Sequence, residues 1–125
     1  MLGLSGFCLA TVVFLVVRDL FVPEIAGVEV WFGIEVRGAA ARLSAPLHWA
    51  IFAVGAWGFA TRRVGTFLVA AVYAFYVAGS HLVWNGISPN GGGWTAGVVQ
   101  GVFLALPGLG LLYGHRVFRR ESLAV

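Results

Sequence analysis

Long stretches without a charged side chain constrain this sequence more than any other feature. Residues 1–17 contain no Asp, Glu, Lys or Arg, and neither does the whole stretch between Arg63 and Arg116. Hydrophobic residues make up 60% of the chain, charged residues make up 10%, and the mean hydropathy is +0.92. Because about 20 apolar residues cross the hydrocarbon core of a bilayer, we predict an all-α integral membrane protein with a single membrane domain.

Hydropathy and helix punctuation predict an antiparallel bundle of four transmembrane helices. The predicted spans cover residues 2–22, 45–61, 64–85 and 94–113, with an outer loop at 23–44 and a tail at 114–125. Ser44 is expected to cap the second helix, with Pro46 in its first turn, where the N–H groups have no partner inside the helix. Pro107 is expected to bend the fourth helix.

The arginines predict how the chain is oriented. Arg62 and Arg63 fill the tight turn between the second and third spans, and Arg116, Arg119 and Arg120 follow the fourth span. Basic residues close to the ends of spans favour the cytoplasmic side. Both termini are therefore expected in the cytoplasm, with the protein in a bacterial inner membrane and the loop after the first span facing outward.

Charge and cysteine content argue against two other kinds of binding site. All eight basic residues are arginines, and they are dispersed between apolar segments rather than gathered in a basic stripe, so no nucleic-acid partner is expected. Cys8 is the only cysteine, which excludes a disulfide within the chain and a site of four cysteines for a metal. The cysteine is expected to be a small apolar side chain in the first span.

The loop sequence VEVWFGIEVRG fits two local structures. Val28, Val30 and Phe32 alternate with more polar neighbours, as in a half-buried strand. An isolated strand would leave its backbone groups unsatisfied at a membrane surface. A helix over residues 28–43 instead gathers its apolar residues on one side, with Trp31 at the level of the headgroups. We favour the interfacial helix and keep the strand as the alternative.

Small residues predict where the helices pack against one another. They recur every fourth residue at Ala70, Ala74 and Ala78 in the third span and at Gly97, Gly101 and Ala105 in the fourth. Small side chains in membrane helices allow two backbones to approach closely. The partner helix can belong to the same chain or to another subunit.

Two histidines suggest a cofactor site. His81 and Asn85 continue the small-residue face of the third span, so both are expected to face packed protein. His48 lies one turn into the second span, and the rise of a helix puts His48 and His81 at about 22 and 27 Å above the arginine turn. Imidazoles at one level can ligate a haem or contact a quinone headgroup. Alternatively, each histidine meets a helix end or an outer-loop glutamate, and His115 lies on the opposite side.

Other polar residues have simpler interpretations. Arg18 is expected either to snorkel at the end of the first span, which we favour, or to point inward to an anion or an outer-loop glutamate. Gln100 is expected to form a hydrogen bond across helices. A metal site that combines the histidines with Glu24, Glu29 or Glu35 has no recognisable ligand spacing.

No enzyme motif is present in the sequence, which lacks a serine elbow, a phosphate-binding loop and HExxH. The layout of four spans resembles that of small bacterial membrane proteins such as the DoxX-like group over the whole chain, without a shared motif. We therefore expect a non-catalytic accessory or assembly subunit that contacts the bilayer, other membrane subunits or further copies, possibly with bound lipid or pigment. The alternatives are a haem- or quinone-binding redox protein that uses His48 and His81, and an oligomeric small transporter or channel.

Overall fold

The computed structural model describes residues 1–22 and 27–124. In these two ranges the chain forms helices α1 (Leu2–Phe21), α2 (Gly38–Ala60), α3 (Gly65–Ile87) and α4 (Gly93–Leu123), and strands β1 (Val28–Trp31) and β2 (Ile34–Arg37). Each of the four helices is long and apolar enough to cross a membrane. The prediction of four apolar, membrane-length helices is thereby confirmed.

The chain divides into two compact units. The first unit contains α1 and α2, with the chain up to Glu29 and from Glu35 to Arg63. The second unit contains the tip of the β-hairpin, Val30–Ile34, together with α3 and α4. Each unit is thus built on one pair of helices.

In the first unit, α1 and α2 run antiparallel. Ser5, near the start of α1, donates a hydrogen bond from Oγ to the carbonyl of Ala56, near the end of α2, at 2.8 Å. Cys8 packs where α2 has Gly55, and a Cβ on that glycine would lie 3.3 Å from the Cys8 Sγ. The buried cysteine therefore acts as a small apolar side chain at a close helix contact.

In the second unit, α3 and α4 also run antiparallel, and glycines of α4 bring the two helices together. A Cβ on Gly97 would lie 2.7 Å from the carbonyl oxygen of Leu82. Further along, a Cβ on Gly108 would lie 2.9 Å from the ring of Phe75. Because a larger side chain would overlap with α3 at these positions, glycine sets the distance between the helices.

The second helix starts earlier than its punctuation predicts. It begins at Gly38, and Pro46 lies inside it rather than in its first turn. Ser44 does not cap the helix but donates from Oγ to the carbonyl of Ala41 at 3.1 Å. A proline inside a helix removes one backbone hydrogen bond without ending an apolar helix whose other bonds remain. In the same way, α4 continues through Pro107 to Leu123, so most of the predicted tail is helical.

The interfacial helix predicted for residues 28–43 is wrong. β1 and β2 pair with each other as a two-stranded sheet, and the remaining residues of that segment belong to α2. Pairing supplies the backbone hydrogen bonds that an isolated strand lacks. Phe32 and Gly33 connect the strands with positive φ angles of 52° and 81°, as type I′ hairpin turns require.

Side chains of α3 hold this turn within the second unit. The N–H of Phe32 donates to the hydroxyl of Tyr76 at 3.1 Å, and the N–H of Gly33 donates to Oγ of Ser80 at 2.8 Å. The rings of Phe32 and Tyr76 also meet edge to face, with their centroids 5.1 Å apart. These contacts stabilise the positive φ of Phe32, which is uncommon for a residue other than glycine.

Candidate functional site

Four titratable side chains meet in the first unit, where α1 ends. Arg18 and Asp19 lie in the last turn of α1, Glu29 lies in β1 and His48 lies in α2. We call these four residues the charged cluster. It brings together charges from three elements in a chain in which only 10% of the residues are charged.

Glu29 lies at the centre of the charged cluster and uses both of its carboxylate oxygens. Its Oε1 accepts a hydrogen bond from Nη2 of Arg18 at 2.8 Å, and its Oε2 lies 2.9 Å from Nδ1 of His48. Arg18 also donates from Nε to Oδ1 of Asp19 at 2.7 Å. The other oxygen of Asp19 accepts a hydrogen bond from the indole Nε1 of Trp49 at 2.8 Å. All four carboxylate oxygens therefore have a partner.

The charged cluster is largely shielded from solvent. The side-chain exposure is 6% for Asp19 and 7% for Glu29, compared with 15% for His48 and 23% for Arg18. Two nearly buried carboxylates thus share one permanent positive charge, and His48 adds a second when it is protonated. A buried carboxylate is tolerated when it is paired and hydrogen-bonded, and both carboxylates meet these conditions.

The structure joins two residues that the sequence treats separately. Arg18 takes the inward position and contacts an outer-loop glutamate instead of snorkelling, and His48 contacts the same glutamate. Sequence reasoning missed Trp49 as a partner of Asp19, because the two are 30 residues apart in the chain. The available signal was a tryptophan beside His48, which indicates a polar contact without naming its partner.

Asn85 forms a second polar centre, within the second unit at the end of α3. It is only 2% exposed. Its Nδ2 donates to the carbonyl of His81 and to Oε1 of Gln100, both at 2.8 Å, and its Oδ1 accepts from the N–H of Gly92 at 3.0 Å. These hydrogen bonds join α3 to α4 and hold the end of the loop between them.

The three histidines have different surroundings. His48 belongs to the first unit and faces Glu29. His81 belongs to the second unit and is exposed rather than facing packed protein, with its ring edge-on to Trp84 at 6.4 Å. His115 lies near the other end of the second unit, where its Nδ1 is 3.2 Å from the carbonyl of Val64. Each imidazole is therefore described by contacts within its own unit.

The small residues expected at helix contacts lie at or beside the contact between α3 and α4. Ala78, Gly97 and Gly101 are buried, whereas Ala70, Ala74 and Ala105 are partly exposed. A Cβ on Gly101 would lie 3.4 Å from the carbonyl of Ala78. On α3, the completely buried residue is Ala71, one position from Ala70, so the close face is rotated slightly from the predicted one.

Metal binding finds no support in the described residues. Within residues 1–22 and 27–124, no group of three or more His, Cys, Asp and Glu side chains is placed to hold a metal ion. Glu29 contacts Arg18 and His48, and Glu35 pairs with Arg37 at 2.6 Å. Glu24, the other glutamate considered for a metal, lies outside the described residues.

A search of protein-family models, of curated proteins and of solved structures found no match to this chain.

Proposed function

We propose that this chain is a multi-pass integral membrane protein and a non-catalytic accessory or assembly subunit of a larger membrane complex. In this proposal α1 to α4 span a bacterial inner membrane, with both termini in the cytoplasm. The arginines at residues 62 and 63 and after the fourth span support this orientation. The partners are the lipid bilayer and a membrane helix of another subunit.

The uncovered surface of α1 carries the proposal of a partner subunit. Among the 20 residues of α1, only Cys8 is buried, whereas α2 and α3 each bury five residues. A shallow groove of about 730 Å³ runs along α1 from Gly6 to Val22, and its lining is apolar except for Arg18. Gly6 and Ala10 lie one turn apart in this groove, and small residues at this spacing allow a second helix to approach closely.

The charged cluster supports a structural role for the polar residues of the first unit. Its side chains bind one another and thereby connect α1, β1 and α2. Such connections fix the position of α1, which then presents its uncovered face in a constant direction. A rigidly held apolar face is suited to the assembly of a complex.

Photocrosslinking tests the accessory role. A photoreactive residue at Val13, which is 56% exposed on α1, is expected to form an adduct with a discrete membrane protein in native membranes. The matched position is Val69 on α3, which is 68% exposed and is expected to give lipid adducts alone. Lipid adducts alone at both positions would contradict the accessory role, and adducts solely between copies of this chain would favour the oligomeric transporter or channel.

A haem or quinone site that uses His48 and His81 is the second candidate function. The observation in its favour is the carboxylate of Glu29 beside Nδ1 of His48 at 2.9 Å. A carboxylate on one ring nitrogen orients an imidazole for ligation through the other, so axial ligation would use Nε2.

An absorption spectrum of the purified protein tests the second candidate. A haem site predicts a Soret band that disappears in His48→Ala and in His81→Ala and persists in the control His115→Ala. For a quinone, the same variants are expected to lose the copurifying quinone. A protein that stays colourless after growth with haem precursors and copurifies without quinone rules out this candidate.

A further inference from the structure

Three arginines share one face of the last turns of α4. Arg116, Arg119 and Arg120 are spaced three and four residues apart and are all exposed, which places them on the same side of a helix. In the described part of the chain, none of their guanidinium groups has a hydrogen-bond or ion-pair partner. We call these three residues the arginine face.

The nearest acidic residue does not neutralise the arginine face. Glu121 is exposed on the same helix, but successive residues of an α-helix are rotated by about 100°, which puts Glu121 about 140° away from Arg116. The arginine face therefore presents three positive charges toward the same side.

An exposed apolar strip leads directly to the arginine face. Val102, Leu106, Leu109 and Tyr113 are 60%, 54%, 57% and 72% exposed. They are spaced alternately four and three residues apart, so they lie on one side of α4, and Arg116 and Arg120 continue the same spacing. Apolar side chains followed by a tyrosine and then by arginines match the change from hydrocarbon to headgroups at a membrane surface.

The opposite side of this segment is attached to α3. The ring of Phe118 stacks on Phe67, with the centroids 5.3 Å apart, and Nδ1 of His115 lies 3.2 Å from the carbonyl of Val64. These contacts fix the rotation of the last turns of α4. The direction of the arginine face is therefore set by the fold.

We propose that the arginine face binds the phosphate groups of anionic phospholipids. The inference rests on the proposed insertion of α4 into a membrane. With 31 residues, α4 is about 46 Å long and exceeds the hydrocarbon core of about 30 Å, so its last turns reach the headgroups. Guanidinium groups form paired hydrogen bonds with phosphate oxygens, and the adjoining strip accommodates the acyl chains, which favours a lipid over a soluble anion.

Lipid competition tests the arginine face. Full-length protein is purified in a neutral detergent and equilibrated with equal amounts of phosphatidylglycerol and phosphatidylcholine, and native mass spectrometry measures the ratio in which they bind. The variant R116Q/R120Q is expected to lose the preference for phosphatidylglycerol by about fivefold for each arginine, or about 25-fold in total. The variant R116K/R120K keeps the charge and is expected to retain most of the preference.

The control R37Q/R42Q removes the same charge elsewhere in the chain and is expected to leave the lipid ratio unchanged. An unchanged ratio in R116Q/R120Q, or an equal loss in R37Q/R42Q, overturns the proposal. Extraction of membranes at alkaline pH tests insertion separately. A protein that stays in the membrane and binds both lipids equally contradicts the arginine face alone, whereas a protein that is extracted contradicts the proposed insertion.

Discussion

Glu29 connects two helices through the two oxygens of one carboxylate. Oε1 accepts from Arg18 of α1, and Oε2 faces His48 of α2. An ion pair that is shielded from solvent contributes most when each member also has hydrogen bonds. Removal of the central carboxylate would leave two cationic side chains without their shared partner, so Glu29 should contribute more to stability than other glutamates of the chain.

The variant Glu29→Gln is expected to lower the free energy of unfolding by about 3 kcal/mol, as expected for removing one partner of a buried pair. Denaturant titration of the purified protein in detergent measures this loss. Glu35→Gln is the matched control, because Glu35 pairs with Arg37, whose side chain is 60% exposed, and its loss should be below about 1 kcal/mol. Equal losses in the two variants would show that Glu29 is not central.

Asn85 gives a second prediction at the scale of the residue. Asn85→Ala removes three hydrogen bonds at a side chain that is 2% exposed, so it is expected to cost about 3 kcal/mol in unfolding free energy, or about 1 kcal/mol for each bond. Gln100→Ala removes one of these bonds from an exposed residue and should cost about 1 kcal/mol. A loss in Gln100→Ala as large as that in Asn85→Ala would contradict this account.

The sequence identifies the polar residues of these centres better than it identifies their partners. Arg18, His48 and Asn85 stand out because they are polar residues in or beside apolar stretches. Their partners depend on how the chain folds back, as in the contact of Asp19 with Trp49. Only tertiary structure can choose between the alternatives that spacing leaves open for Arg18 and His48.

At the scale of the element, helices were predictable and the hairpin was not. The helices follow from apolar length, a signal that needs no knowledge of neighbours. The segment from Val28 to Arg37 fits both a strand and a helix in its local pattern. Its turn is held by Tyr76 and Ser80 of α3, so the deciding contacts are more than 40 residues away along the chain.

Two glycines of α4 test the close contact with α3. A Cβ on Gly97 would lie 2.7 Å from the carbonyl oxygen of Leu82, whereas a Cβ on Gly110 would meet no atom within 4 Å. Gly97→Ala is therefore expected to lower the free energy of unfolding by about 1–3 kcal/mol through overpacking. Gly110→Ala should raise it by up to about 1 kcal/mol, because alanine favours the helix.

Thermal or denaturant unfolding of the two glycine variants in the same detergent checks this contrast. The difference between the variants cancels effects of the detergent and of helix propensity, since both substitutions lie in α4. If Gly97→Ala and Gly110→Ala stabilise the protein equally, the close approach of α4 to α3 at Gly97 is contradicted.

At the scale of the whole molecule, the account depends on hydrocarbon around the four described helices. Their outward side chains are mainly apolar, and several exceed half exposure, including Phe14, Val69 and Phe103. In a bilayer such side chains face lipid or another membrane helix. The proposed partner on α1 and the proposed lipid contacts on α4 both require that the chain crosses the membrane in the predicted order.

Cysteine accessibility tests this threading most directly. In a Cys8→Ala background, a single cysteine replaces either Arg63, between α2 and α3, or Asn90, between α3 and α4. An impermeant maleimide added to spheroplasts with an intact inner membrane is expected to label the cysteine at 90 and to reach the one at 63 only after the membrane is permeabilised. Labelling of both positions from the same side of the intact membrane would contradict the proposed crossing of α3.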